Sequence, residues 1–213
     1  GLAFDGDADR LEAVDEMGNI INGDQIMAIV GNYMKDKGTL KKDTIVATVM
    51  SNLGFFQMGE RNGIHIEQTK VGDRYVLERM REIGANLGGE QSGHIIFLDE
   101  NTTGDGLLSA LHLLQVMVDT GRKLSDLSQV MEIMPQALVN AKVPNDKKEH
   151  YMEYPEIAEA IDKLNTEFAG QGRVLIRPSG TEPLVRVMIE GKDQVMIQSE
   201  AEKLAALIQN TMI

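Results

Sequence analysis

Cysteine and tryptophan are absent from this 213-residue chain, and the aromatic residues are confined to five Phe and four Tyr. Without cysteine there are no disulfides, no thiolate metal centres and no cysteine nucleophile; the absence also fits a reducing compartment. With so few rings, thirteen Met and the aliphatic residues must fill the core. Basic residues are scarce too: 21 Lys and Arg face 33 Asp and Glu, a net charge of −12. A nucleic-acid or anionic-membrane surface needs a basic stripe, so no nucleic-acid and no membrane partner is expected. A small phosphorylated substrate needs only a few local cations. Long apolar runs are missing as well. The stretch Leu107 to Val118 is broken by Ser109, His112 and Gln115, and falls short of the roughly 18 apolar residues of a membrane span. No Walker A loop and no G-x-S-x-G elbow occurs. Methionine is also absent from the first position: the chain opens at Gly1 and runs at once into GLAFDGDADR, so it is expected to begin inside a longer protein.

What is present is ordinary globular composition, 42% hydrophobic and 25% charged. At about 100–200 residues per domain, this is one large domain or two small ones. Residues 1–20 read as strand, acidic turn, strand and polar turn. Ile26, Ile29, Val30 and Tyr33 recur at helical spacing, so Asp24 to Lys37 reads as a helix stopped by Gly38. Strands at 44–49, 64–69 and 94–97 then alternate with helices. Asn52 is expected to cap the first of these, Asp73 the second and Asp105 or Gly106 the third. Ser125 is expected to cap a short helix ending before Pro135. This alternation predicts an α/β domain on a mixed, mostly parallel sheet. After Pro135 the rhythm changes: a strand at 137–143, a polar connector at 145–154, a helix from Pro155, two strands about a tight loop, and a terminal helix from Asp193. That pattern predicts a small α+β C-terminal domain.

Three loops carry chemistry. In Asp5-Gly6-Asp7-Ala8-Asp9-Arg10, three carboxylates alternate behind a strand-like segment. At a strand end they can converge on magnesium or calcium, both of which take oxygen ligands. An EF-hand loop requires glycine where Arg10 stands, and helices on both sides. A haloacid-dehalogenase-like phosphatase has Thr or Val where Asp9 stands, so it too fits poorly. The alternative is a solvated acidic turn; three Asp at alternate positions favour a metal. In Gly88-Gly89-Glu90-Gln91-Ser92-Gly93-His94, a carboxylate and a hydroxyl suit sugar hydroxyls, and His94 offers a donor or a proton-transfer group near neutral pH. The alternative there is a plain turn. In Arg177-Pro178-Ser179-Gly180-Thr181-Glu182-Pro183, backbone amides, two hydroxyls and Arg177 make an anion cradle, to which Arg186 adds a second guanidinium. A hairpin turn accounts for that sequence equally well. Gly72, Asp73 and Arg74 lie between a strand and a helix, a common place for ligand contacts in α/β sheets. His65, His112 and His150 belong to no cluster.

Taken together and in this order, the loops resemble those of the α-D-phosphohexomutase superfamily, over essentially the whole chain. DGDADR is similar to its magnesium loop, GEQSGH to its sugar-binding loop and RPSGTEP to its phosphate-binding loop. Gln91, the stretch TKVGDRYV at 69–76 and TTGDGLLSAL at 102–111 place the resemblance nearest the bacterial branch acting on glucosamine phosphates. Branches acting on phosphomannose or phosphoglucose are the first alternative. A non-enzymatic module binding a cation or sugar phosphate is the second.

The resemblance implies a magnesium-dependent isomerase, an intramolecular phosphotransferase of four domains. It interconverts hexosamine 6- and 1-phosphates through a phosphoserine, in the cytoplasm, on the way to UDP-N-acetylglucosamine and the cell wall. By the same resemblance, residues 1–20 are the tail of the second domain with the metal loop, 21–136 the third domain and 137–213 the fourth. The serine loop has no counterpart here, so the chain alone is expected to be inactive. The family's dimers are formed through the first domain, so the chain is also expected to be monomeric. Asp5, Asp7 and Asp9 are implied to hold magnesium, and Arg10 to sit beside the transferring phosphate. Glu90 and Ser92 are implied to bind sugar hydroxyls, and His94 is the candidate proton-transfer group. Arg177, Ser179, Gly180, Thr181 and Arg186 are implied to grip the non-reacting phosphate, and Gly72, Asp73 and Arg74 to line the cleft.

Overall fold

The structure is a computed structural model and describes residues 1–212. Contacts divide the chain into two units, Gly1–Ile133 and Met134–Ile213. Each unit has its own apolar core.

The first unit opens with a small antiparallel sheet of β1 (Leu2–Phe4), β2 (Leu11–Val14) and β3 (Ile20–Ile21), in that order. The β2–β3 turn closes on Asp15, whose carboxylate accepts from the backbone N–H of Met17 and of Asn19 at 2.8 Å each, and from Asn19 Nδ2 at 2.9 Å. Next comes α1 (Gly23–Asp36), started by a capping box in which Asn22 and Gln25 satisfy each other's backbone N–H. A four-stranded sheet follows: β4 (Thr44–Thr48), β5 (His65–Thr69), β6 (Leu87–Gly89) and β7 (Ile95–Phe97), ordered β5-β4-β6-β7. β4 is parallel to both of its neighbours and buried along its whole length, as a β-branched central strand should be. β7 is antiparallel to β6.

Two helices make the crossovers. α2 (Leu53–Asn62) begins where the Asn52 side chain accepts from Gly54 N–H and ends at left-handed Gly63. α3 (Asp73–Ile83) ends at left-handed Gly84. α4 (Gly106–Thr120), capped by Asp105, and the short α5 (Leu124–Leu127) complete the unit. Ile26, Met27, Ile45, Phe55, Leu87 and Leu113 are fully enclosed between these elements. The parallel register, Thr48 beside Thr69 and Ala47 beside Gly89, brings the carboxyl ends of β4, β5 and β6 to one edge. The loops at 49–52, 70–72 and 90–94 therefore share that edge.

The second unit is an antiparallel sheet ordered β8-β10-β9, from β8 (Gln136–Lys142), β9 (Gly172–Pro178) and β10 (Leu184–Gly191). α6 (Pro155–Glu167) and α7 (Gln194–Met212) bury Val185, Val187 and Ile189 of the central strand. Pro155 stands in the first helical turn, where its missing N–H costs nothing. Among the described residues, no helix is long and apolar enough to cross a membrane.

Four local expectations change. Asp73 is the first residue of α3 and caps nothing with its side chain; Gly72, at φ 131°, holds the cap position. Ser125 lies inside α5, and its backbone N–H and hydroxyl both turn to Glu16. Gly88 and Gly89 belong to β6, so the loop proper starts at Glu90. The connector at 145–154 winds into 3-10 turns over Lys148–Glu153.

Asp15 titrates low because the Asn19 side chain, foremost, and then the turn's backbone N–H groups stabilise its charged form. A folded-state pKa below the unfolded one stabilises the protein above the ordinary carboxylate range, and this stabilisation disappears as pH falls through the folded value. Asp15→Ala is expected to lower the Tm at pH 7, with the gap to the parent closing below about pH 4. A gap that stayed constant across that range in thermal melts would assign the effect to packing.

Candidate functional site

The acidic loop turns because Ala8 takes a left-handed conformation, φ 59°, which costs an alanine roughly 1–2 kcal/mol. Its N–H bonds back to Asp5 O at 3.2 Å, and its carbonyl accepts from Gly106 N–H at 2.9 Å, at the start of α4. This turn brings one carboxylate oxygen from each of Asp5, Asp7 and Asp9 within 4.8 Å of one another. Arg10 leans over the group, its Nε 3.8 Å from Asp5 and 3.9 Å from Asp9, and its backbone N–H bonds to Asp5 Oδ1 at 3.2 Å. Asp9 Oδ1 is buried and has no hydrogen-bond partner among the described residues. A buried acceptor of this kind, beside two exposed carboxylates, fits a hard cation with oxygen ligands.

The second loop is bonded directly to the first. Leu11 N–H donates to Gly93 O at 3.1 Å, and Arg10 and His94 form an antiparallel bridge. A hairpin closes the loop itself, with Glu90 N–H to His94 O and Gly93 N–H to Glu90 O, both 3.0 Å. Gly93 sits at φ 91°, and a Cβ there would run into Leu11 O, so only glycine permits this approach. The His94 ring is buried, with Nε2 3.5 Å from Asp9 Oδ2 and Nδ1 without a partner. Gly104 makes room for that ring, since a Cβ at this position would overlap the imidazole.

Glu90 is half-buried and its Oε1 accepts from Gly72 N–H at 3.0 Å, which ties the 70–72 loop to the 90–94 loop. Ser92 is exposed beside it. Asp73 and Arg74 follow on the exposed first turn of α3, where Arg74 pairs with Glu78 at 2.8 Å. The sequence marks Asp24 only as the start of a helix. It is wholly buried at the start of α1 and its Oδ2 accepts from Asn52 N–H at 2.7 Å, binding the β4–α2 loop to α1. An aspartate in a first helical turn carries no distinguishing sequence signal. The isolated histidines pair locally: His65 with Glu67 at 2.9 Å, His112 with Glu100 at 2.7 Å and His150 with Glu153 at 2.7 Å.

In the second unit, residues 179–183 link β9 to β10. Ser179 N–H donates to Leu184 O at 2.9 Å, and Ser179 Oγ accepts from Glu182 N–H at 3.2 Å. Gly180 and Thr181 form the exposed tip. Arg177 and Arg186 are direct cross-strand partners, so two like charges share one face of the sheet. Arg186 pairs with Glu182 at 3.1 Å, whereas Arg177 Nε is buried without a partner. Lys148, read from the sequence only as part of a polar connector, is buried and donates to the carbonyls of Ser179 and Glu182.

Residues 22–134 match the model of phosphoglucomutase/phosphomannomutase, alpha/beta/alpha domain III, and residues 138–207 match that of the C-terminal domain of the same family. The chain belongs to the phosphoglucomutase/phosphomannomutase family. Within it, the chain is similar to phosphoglucosamine mutases: 63% identical over 212 residues to that of Ruminiclostridium cellulolyticum and 59% to that of Acetivibrio thermocellus. Each alignment takes in 100% of this chain and 47% of the relative, so the chain spans about half the length of these relatives. Among solved structures, N-acetylphosphoglucosamine mutase of Aspergillus fumigatus superposes with a TM-score of 0.81 at 21% identity, over 99% of this chain and 48% of that one. The same enzyme in complex with GlcNAc-6P and magnesium gives 0.79 at 20% identity, over 100% and 49%. These likenesses bear on the fold.

A methyl group at position 104 must displace the His94 ring. Gly104→Ala is expected to cost about 1–3 kcal/mol in denaturant unfolding and to shift the His94 imidazole resonances in NMR spectra. An unmoved His94 signal would show that the ring does not pack there.

Proposed function

We propose that the chain carries the metal, sugar and distal-phosphate loops of a bacterial phosphoglucosamine mutase, an enzyme that interconverts glucosamine 6-phosphate and glucosamine 1-phosphate. The observation that carries this reading is the backbone bonding of the loop of Asp5, Asp7 and Asp9, an oxygen-only cation site, to the loop of Glu90, Ser92 and His94, through Leu11 N–H on Gly93 O and the Arg10–His94 bridge. The identity to phosphoglucosamine mutases supports the amino sugar over glucose or mannose. Residues 1–20 are read as the tail of the second family domain, 21–136 as the third and 137–213 as the fourth. Cytoplasmic placement and a role in UDP-N-acetylglucosamine supply follow from the same reading, as does a homodimeric parent. The 213 residues alone are proposed to be monomeric, to bind ligand weakly and not to turn it over.

Asp5, Asp7 and Asp9 would hold magnesium, which when bound neutralises charge on a transferring phosphoryl group. Arg10, kept in place by Asp5 and Asp9, holds a guanidinium at the rim of the cluster for the incoming phosphate. Glu90, with Oε1 committed to Gly72 N–H, has its second oxygen for a sugar hydroxyl, and Ser92 offers a hydroxyl beside it. Gly72 thus takes part through its backbone, while Asp73 and Arg74 stand next to that anchor at the cleft margin. His94 orients Asp9, and its unpartnered Nδ1 is the candidate for proton transfer. Arg177, Arg186, Ser179 and the backbone about Gly180 and Thr181 bind the phosphate that does not react.

A chimera in which residues 1–213 replace the aligned stretch of the Ruminiclostridium cellulolyticum enzyme tests the reading. By 31P NMR, it is expected to convert glucosamine 6-phosphate in preference to the glucose and mannose phosphates. Asp7→Asn in the chimera is expected to reduce turnover by about 100-fold or more, partly recovered at high magnesium. A preference for a neutral sugar would overturn the substrate assignment, and an undiminished Asp7→Asn enzyme would overturn the metal site.

A further inference from the structure

Lys148 stands apart from the other lysines. It is 8% exposed, and no carboxylate among the described residues lies within ion-pair distance of its ammonium group. Burying a charge in this way is costly unless something compensates it. Its visible partners are the carbonyl oxygens of Ser179, and of Glu182 at 3.2 Å, the two ends of the β9–β10 loop. Those two bonds use two of the three N–H donors that an ammonium carries.

The charges around the loop do not balance. Lys148, Arg177 and Arg186 are cationic, and the one carboxylate paired there is Glu182, on Arg186. The excess matches the charge of a phosphate monoester near neutral pH, about −1.5 to −2. In a chain of net charge −12, such a local surplus is not a general property of the surface.

We infer that Lys148 belongs to the distal-phosphate site: its buried ammonium group positions the 179–182 loop from beneath and supplies part of the positive charge that the anion neutralises. The inference rests on the phosphate assignment of this loop made above. Lys148 is thus a positioning residue that acts through Ser179 and Glu182, with an electrostatic share in affinity. A purely structural lysine would be replaceable by any side chain able to satisfy the two carbonyls. A charge-bearing one is replaceable only by another cation.

The test uses the full 213-residue chain, 15N-labelled and titrated with inorganic phosphate. Lys148→Gln, which keeps a neutral donor, is expected to weaken binding about tenfold or more. Lys148→Arg is expected to return it to within about threefold of the parent, and raising ionic strength should weaken the parent more than the Gln variant. Arg177→Gln is the control on the site itself. If Arg177→Gln leaves phosphate binding unchanged, the loop is not the phosphate site and the underlying assignment fails. If Arg177→Gln weakens binding and Lys148→Gln does not, the inference about Lys148 alone is overturned. A Gln variant that fails to fold is bypassed by following the Lys148 Nζ resonance of the parent. Movement of that resonance on phosphate addition supports the proposal, and a stationary signal overturns it.

Discussion

The backbone hydrogen bond from Leu11 N–H to Gly93 O, with the adjoining Arg10–His94 bridge, is the constraint on which the first unit's chemistry depends. The sheet β1-β2-β3 has a two-residue third strand and a first strand exposed along its length, so it needs packing beyond itself. The N-terminal end of its central strand, at Arg10 and Leu11, is bonded to the loop between β6 and β7. The bond sets the distance at which the two loops meet, so it also sets Asp9 against His94. It exists because residue 93 has no side chain: at φ 91°, with Leu11 O where a Cβ would be, every other residue would force the loops apart. Gly106 N–H on Ala8 O adds a third anchor from α4, and the strained Ala8 turn is held by these attachments.

Much of this was legible beforehand, and the parts that were not have identifiable causes. Helices with strong punctuation were legible to within a residue or two at their starts: Asp24 for α1, Asn52 for α2 and Asp105 for α4. The central strand β4 was visible as a β-branched run. Asp73 and Ser125 misled because capping residues were assumed to cap. Gly72 takes the cap position ahead of Asp73, and Ser125 is drawn to Glu16, a partner distant in sequence. Gly88 and Gly89 looked like loop, yet pairing with β4 and β7 outweighs their weak strand propensity. The three loops were recognisable from their residue types. The hydrogen bonding between the first two was not, because bonds between segments remote in the chain leave no local pattern. Asp24 and Lys148 were invisible for the same reason: each is a charged residue in a charged neighbourhood until the fold buries it.

Both units keep a cluster of like charges that their own side chains compensate only in part. In the first, three carboxylates crowd within 4.8 Å and the Arg10 guanidinium stands 3.8 Å from Asp5 and 3.9 Å from Asp9. In the second, Arg177 faces Arg186 across a strand pair with Glu182 serving only one of them. A protein selected for stability alone would replace such groups, since like-charged neighbours and buried unpartnered atoms each cost free energy. Elsewhere the same chain pairs its buried charges closely, as with Arg173 on fully buried Glu190. The incomplete compensation is therefore local, and the two clusters have opposite sign. A deficit of positive charge at one loop calls for a cation, and a surplus at the other calls for an anion. Asp9 Oδ1 and Arg177 Nε are each buried without a hydrogen-bond partner; a cation ligated by the first and an anion accepting from the second would supply what the folded chain alone leaves unmade.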